Sequence, residues 1–128
     1  QMNADMPKFV LKRIRKIMRE HGVEDITRVG LYGLAYKANV DDCRESPALK
    51  LQQLVNDSCA LTLVSYDPNV RGEILPNQKF DLDTFLDAVD IVVILVGHDE
   101  IRRNVPALQG KIVLDCCNIS ELAGAYHL

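Results

Sequence analysis

A tyrosine and a lysine stand side by side at Tyr36 and Lys37, followed by Asp41, Asp42 and Arg44 and then by Ser46-Pro47. Lysine offers a point charge to phosphate, and arginine a planar fork of donors. Tyr36 is suited to stack on a base or to hydrogen-bond a sugar. Asp41 and Asp42 are placed to orient Arg44 or to accept from sugar hydroxyls. Ser46 suits the cap of a helix whose positive end faces the same way. Such a set fits a charged, sugar-bearing ligand. The competing reading is a polar loop closed on itself by salt bridges and an N-cap.

The residues just before this set, GLYGLAYK, begin like a dinucleotide-binding turn. That turn needs glycines for the tight bend, for close approach of a pyrophosphate and for helix packing. Here Gly30 falls inside an apolar run, only Gly33 is placed for the bend, and the third glycine is absent. About a dozen residues then separate Gly33 from Ser46, which is too long for a phosphate turn. The stretch is a poor NAD site in its own right.

Other residues invite catalytic roles. Cys116 and Cys117 close an apolar run, at a strand end where a nucleophile would be plausible, but a reactive thiol needs a cationic or basic neighbour. One of the two is expected to point into the core, and no catalytic residue is assigned. His98 is expected on a cleft rim, with Asp99 capping the helix that follows. Asp67, ahead of Pro68 and Asn69, is expected to fix a turn.

The elements that must position these residues alternate. Residues 7–21 read as an amphipathic helix, opened by Pro7, closed by Gly22, with Phe9, Val10, Ile14, Ile17 and Met18 on one stripe. Its Lys8, Lys12, Arg13, Arg15, Lys16 and Arg19 make a solvated basic face; binding to an acidic surface or membrane is the rival use. Strands are expected over residues 26–34, 60–67, 90–97 and 111–117, and helices from Ser46 to about Asp57, over 82–88 and near Glu100. Residues 71–81 are a looser segment. The run DIVVILVG is apolar throughout, as a strand buried on both faces requires. Strand–helix alternation of this kind predicts an α/β fold, a mostly parallel sheet with helices on both faces. The strand over 26–34 is expected to be central, with ligands at the carboxyl ends of the strands.

Bulk properties narrow the class. The chain has 128 residues, a net charge of −3, a pI near 5.5 and 48% hydrophobic residues. One compact domain fits that length, and the charge gives no case for nucleic-acid or membrane partners. Four cysteines show neither CxxC spacing nor histidines at zinc-like intervals, so no metal site is expected. Reduced thiols in the cytoplasm are the default for such a chain.

The stretch GLAYKANVDDCRESPAL resembles the UDP-binding, C-terminal domain of the UDP-glucose/GDP-mannose dehydrogenase family. The family pattern, G-x-[AT]-[YF]-K, an acidic spacer and R-E-S-[PS], is met by Gly33, Ala35, Tyr36, Lys37, Asp42, Arg44, Glu45, Ser46 and Pro47. SYDPNV, VGHDEIRR and KIVLDCCNI are similar to its later strand ends, and NADMPKFVLKRI to the end of the helix that enters the domain. NVDDCRESPAL leans toward the UDP-N-acetylmannosamine branch.

The resemblance implies a Rossmann-like three-layer sandwich preceded by an N-terminal linker helix. Residues 1–24 would be the end of that helix and 25–128 the nucleotide-sugar-binding domain. It implies a cytoplasmic enzyme that oxidises a sugar C6 hydroxyl to a carboxylate in two NAD-dependent steps, through a covalent cysteine intermediate. The catalytic cysteine, a lysine and the NAD domain would lie upstream, so this part alone would be inactive. Tyr36 and Lys37 would meet the UDP-sugar, and Arg44 the NAD held by the other domain. A homodimer or higher oligomer would form through the central domain. Many relatives carry a ligand-binding arginine shortly after the aspartate of the last strand, where this chain has Cys117. That departure keeps open a free-standing, non-enzymatic nucleotide-binding or regulatory module.

Overall fold

The computed structural model describes residues 6–119 and 124–128. Six strands form one sheet: β1 (Val29–Tyr32), β2 (Val64–Tyr66), β3 (Gln78–Lys79), β4 (Ile91–Ile94), β5 (Ile112–Asp115) and β6 (Tyr126–His127). Their order is β3-β2-β1-β4-β5-β6, and every pairing is parallel. The helices are α1 (Met6–His21), α2 (Pro47–Cys59), α3 (Leu82–Asp87) and α4 (Asp99–Arg103).

Alternation along each strand builds two cores, because successive side chains leave opposite faces. Val29 and Leu31 of β1, with Ile91 and Val93 of β4, pack under α1 and α2 against Val10, Ile14, Ile17, Leu51 and Val55. Tyr32, Val92 and Ile94 face the other way, onto Phe85 and Leu86 of α3, Ile101 of α4 and Leu108. The result is the expected helix–sheet–helix sandwich, with β1 and β4 at its centre. Gly30 is a packing glycine: a Cβ there would lie 2.7 Å from both the Phe85 ring and Val89.

The elements are shorter than the apolar runs that announce them. Residues 26–28 form a 3₁₀ turn rather than strand, because Asp25 caps it by accepting from Thr27 N at 2.9 Å. Residues 60–63 also stay out of the ladder. Ala60 ends α2 with φ +55°, and the Gln52 amide accepts from Leu63 N (2.8 Å) and donates to Leu61 O (3.0 Å) in place of a strand neighbour. The strand expected over 111–117, β5, stops at Asp115, where its partner β4 ends. The looser segment holds the edge strand β3, organised by the Gln78 amide, which accepts from Ile74 N and donates to Gly72 O.

In α1, Val10, Leu11, Ile14, Ile17 and Met18 are buried, but Phe9 is 52% exposed. It precedes Val10 by one residue, about 100° of helical rotation, and so leaves the buried stripe. β6 lies against α1: Arg13 donates to His127 O at 2.8 Å, and the Tyr126 hydroxyl meets His21 Nε2 at 2.8 Å.

Candidate functional site

At the carboxyl edge of the sheet the chain leaves β1 toward one face and β4 toward the other, so a cleft opens between the two exits. Its volume is about 670 Å³, and its lining includes Tyr36, Lys37, Glu45, Lys50, Arg102 and Cys117. The order in which these residues arrive there is set by the turn that follows β1.

That turn is held by a carboxylate of the protein itself. Gly33 bends the chain at φ +104°, a conformation that disfavours a side chain, and a Cβ there would press on Val96 N at 2.8 Å. Gly33 N donates to Tyr66 O at 2.8 Å. The next two amides, of Leu34 and Ala35, donate to Asp67 Oδ2 at 2.8 and 2.9 Å. In a dinucleotide fold such turn amides face the pyrophosphate. Here an internal anion takes them, so the turn does not fit a resident NAD.

Asp67 is in turn locked by His98. His98 Nε2 lies 2.8 Å from Asp67 Oδ2, while its Nδ1 accepts from Asn39 N at 2.8 Å. An accepting Nδ1 places the proton on Nε2, so the imidazole donates to the carboxylate. Both ring nitrogens are committed and His98 is 1% exposed, which removes it as a general base and corrects its expected place on the rim. Burial pushes the Asp67 carboxyl up, but hydrogen bonds from His98, Asn69 and Ala35 outweigh it and hold the group below its ordinary range. The expected turn is present: Asn69 N donates to Asp67 Oδ1 at 2.8 Å. Asp99 does not cap α4. Instead Asn39 Oδ1 accepts from Asp99 N at 3.0 Å, and Asn39 Nδ2 donates back to the Asp99 carboxylate.

The loop is therefore stapled at Leu34 and Ala35 and again at Asn39. Between the staples Tyr36, 57% exposed, and Lys37 line the cleft. Ser46 caps α2 as expected, accepting from Ala48 N at 3.1 Å, and Pro47 borders the cleft.

Arg44 is not in this cleft. Its Nη2 and Nε donate to the Asp42 carboxylate at 2.8 and 3.1 Å, and it lines a separate hollow with Asn69, Val70 and Arg71. The bond from Arg44 holds the Asp42 carboxyl down at about 2. Of the cleft cations, Lys50 is paired with Glu45 at 3.1 Å. Lys37 and Arg102 have no carboxylate partner among the described residues.

Sequence reasoning missed Arg102, although it lies in the short helix directly after the apolar run DIVVILVG. Cys116 packs into the core beneath α1, and Cys117 lines the cleft. Burial pushes their thiols up to about 12 and about 11, so neither is poised as a nucleophile. Among the described residues no histidine, cysteine, aspartate and glutamate side chains cluster as a metal site would require. No described helix is long and apolar enough to cross a membrane.

Residues 30–121 match the sequence profile of the UDP-glucose/GDP-mannose dehydrogenase family, UDP binding domain. A UDP-N-acetyl-D-mannosamine dehydrogenase of Methanocaldococcus jannaschii is 37% identical over 127 residues, 93% of this chain and 28% of that protein. An NDP-N-acetyl-D-galactosaminuronic acid dehydrogenase of Ralstonia nicotianae is 31% identical over 121 residues, 90% of this chain and 27% of its own length. The solved UDP-D-ManNAc dehydrogenase of Pyrococcus horikoshii superposes with a TM-score of 0.79 at 28% identity, over 98% of this chain and 30% of that one. The chain thus spans under a third of the length of these relatives.

Proposed function

The chain belongs to the UDP-glucose/GDP-mannose dehydrogenase family, and from that premise we propose that it holds the nucleotide-sugar in an NAD-dependent UDP-sugar 6-dehydrogenase. The observation that carries this reading is the stapled loop. Its amides at Leu34, Ala35 and Asn39 are taken by Asp67 and His98, while Tyr36 and Lys37, which has no carboxylate partner among the described residues, line a cleft at the carboxyl edge of the sheet. Lys37 meets the phosphates as a point charge, and Tyr36 meets the base or sugar through its ring or hydroxyl.

The oxidation of the sugar C6 hydroxyl belongs to residues outside this chain, as does the NAD that accepts hydride. Arg44, on the hollow beside the cleft, reaches toward that NAD once its pairing with Asp42 yields to a phosphate. Residues 1–24 end the helix from a central domain, through which the enzyme forms its dimer or higher oligomer, and 25–128 are the binding domain. Because α1 packs on α2 and the sheet, it makes a rigid joint between the two. The preferred substrate is a UDP-N-acetylmannosamine, and the enzyme works in the cytoplasm.

The test is kinetic. Lys37→Ala in the dehydrogenase that carries this chain should raise KM for the UDP-sugar roughly ten-fold or more, the scale of one lost charge-assisted hydrogen bond. UDP should also raise the melting temperature of the unaltered protein by mass action. An unchanged KM removes Lys37 from the site.

A further inference from the structure

We infer that Arg102 is a second phosphate anchor of the cleft, gripping the diphosphate of the nucleotide together with Lys37. The inference rests on the nucleotide-sugar reading above. Arg102 lies on α4, the helix that follows the central strand β4; its first residue, Asp99, is bonded to Asn39 of the Lys37 loop, and Arg102 and Lys37 line the same cleft. Its Nε donates to Gly97 O at 3.1 Å, which folds the side chain back over the end of β4. Both Nη groups are left without an acceptor among the described residues.

The strand end is shaped to receive that guanidinium. A Cβ at Gly97 would lie 3.1 Å from Arg102 Nη2 and 2.6 Å from Ile119 Cγ2. Any side chain there would push the fork out of the cleft or displace Ile119. The charge pattern agrees. Lys50 is neutralised by Glu45, so two cations of the cleft have no carboxylate partner among the described residues, a point charge on the loop after β1 and a fork on α4. A fork offers two parallel donors to a single phosphate, and a lysine beside it neutralises the next. Burial raises the Cys117 thiol, and the nearby Arg102 guanidinium opposes that rise.

A purely structural Arg102 would need only the Nε bond to Gly97, and its loss would not distinguish ligands with phosphates from those without. The isotope-labelled chain is therefore titrated with UDP, uridine and NAD, following amide shifts by NMR. Arg102→Met is expected to weaken UDP about ten-fold, leave uridine unchanged and leave the melting temperature within a degree or so of wild type. Arg102→Lys, which keeps the charge but not the fork, is expected to fall between, and it carries the test if Arg102→Met does not fold.

Equal UDP affinity in these variants overturns the assignment of Arg102, and if Lys37→Ala still loses UDP, the nucleotide-sugar reading survives that failure. Weakening of NAD in place of UDP overturns the assignment to a nucleoside diphosphate. Absence of UDP binding by the unaltered chain overturns both.

Discussion

The loop between β1 and α2 is built in two halves that spend opposite parts of the polypeptide. In residues 33–39 backbone amides do the bonding: Gly33 donates to Tyr66 O, Leu34 and Ala35 to Asp67, Tyr36 to Asp42 O, and Asn39 to His98. The side chains of Tyr36 and Lys37 are left over for the cleft. In residues 41–45 the side chains are consumed instead, Arg44 by Asp42 and Glu45 by Lys50, in local, solvent-exposed pairs. Buried bonds to an internal anion make the first half a rigid presenting surface. Exposed ion pairs within a few residues are worth little and exchange readily, which suits the second half to a charge that arrives from outside.

The contrast is broken most severely at Asp67. Asp67→Ala removes the acceptor of three backbone amides and leaves His98 buried without its partner. A loss of about 3 to 5 kcal/mol is expected in urea denaturation, the scale for leaving several buried donors without an acceptor, together with loss of UDP binding. A loss below about 1 kcal/mol would mean that the staple does not hold the loop.

Acid should act at the same point more gently. The Asp67 carboxyl is held below its ordinary range in the fold. Its contribution is therefore fully present above the unfolded value of about 3.9 and is lost as the pH falls through the lower folded value. Stability measured down this acid limb should fall less steeply in Asp67→Asn than in wild type, and parallel curves would contradict the assignment. The smallest effect belongs to the second half. Arg44→Ala should leave both the melting temperature and UDP affinity of the chain unchanged, because its partner is exposed and local. A weaker grip on UDP would show that Arg44 shares the cleft after all.

These differences also divide what could be read in advance. DIVVILVG announced a strand buried on both faces, and Ser46-Pro47 announced the start of α2, because burial on two faces and helix capping both leave local signatures. β3 and β6 announced nothing. Each is two residues long at a sheet edge, too short for any period, and exists because a neighbouring strand offers hydrogen bonds. The apolar run over 60–67 outlasts the strand β2 because the side-chain amide of Gln52, a helix residue, substitutes for a strand partner. In the site, Tyr36, Lys37 and Arg44 were visible as types at a telling spacing. Their division between two hollows was not.

The sequence alone determined the alternation of apolar runs, the positive-φ bend at Gly33, the capped helix start and the residue types on the loop. These depend on torsions and contacts within a few residues, which the local chain already contains. Only the tertiary structure decided that the carboxylate at the end of β2 fills the bend after β1, and that His98 locks it from the end of β4. It alone also brought Arg102 and Lys37 to one cleft. Such partners are some 30 to 60 residues apart in the chain. No local preference encodes them; they meet because parallel strands must end on one edge, and every ligand-facing loop of the sheet begins there.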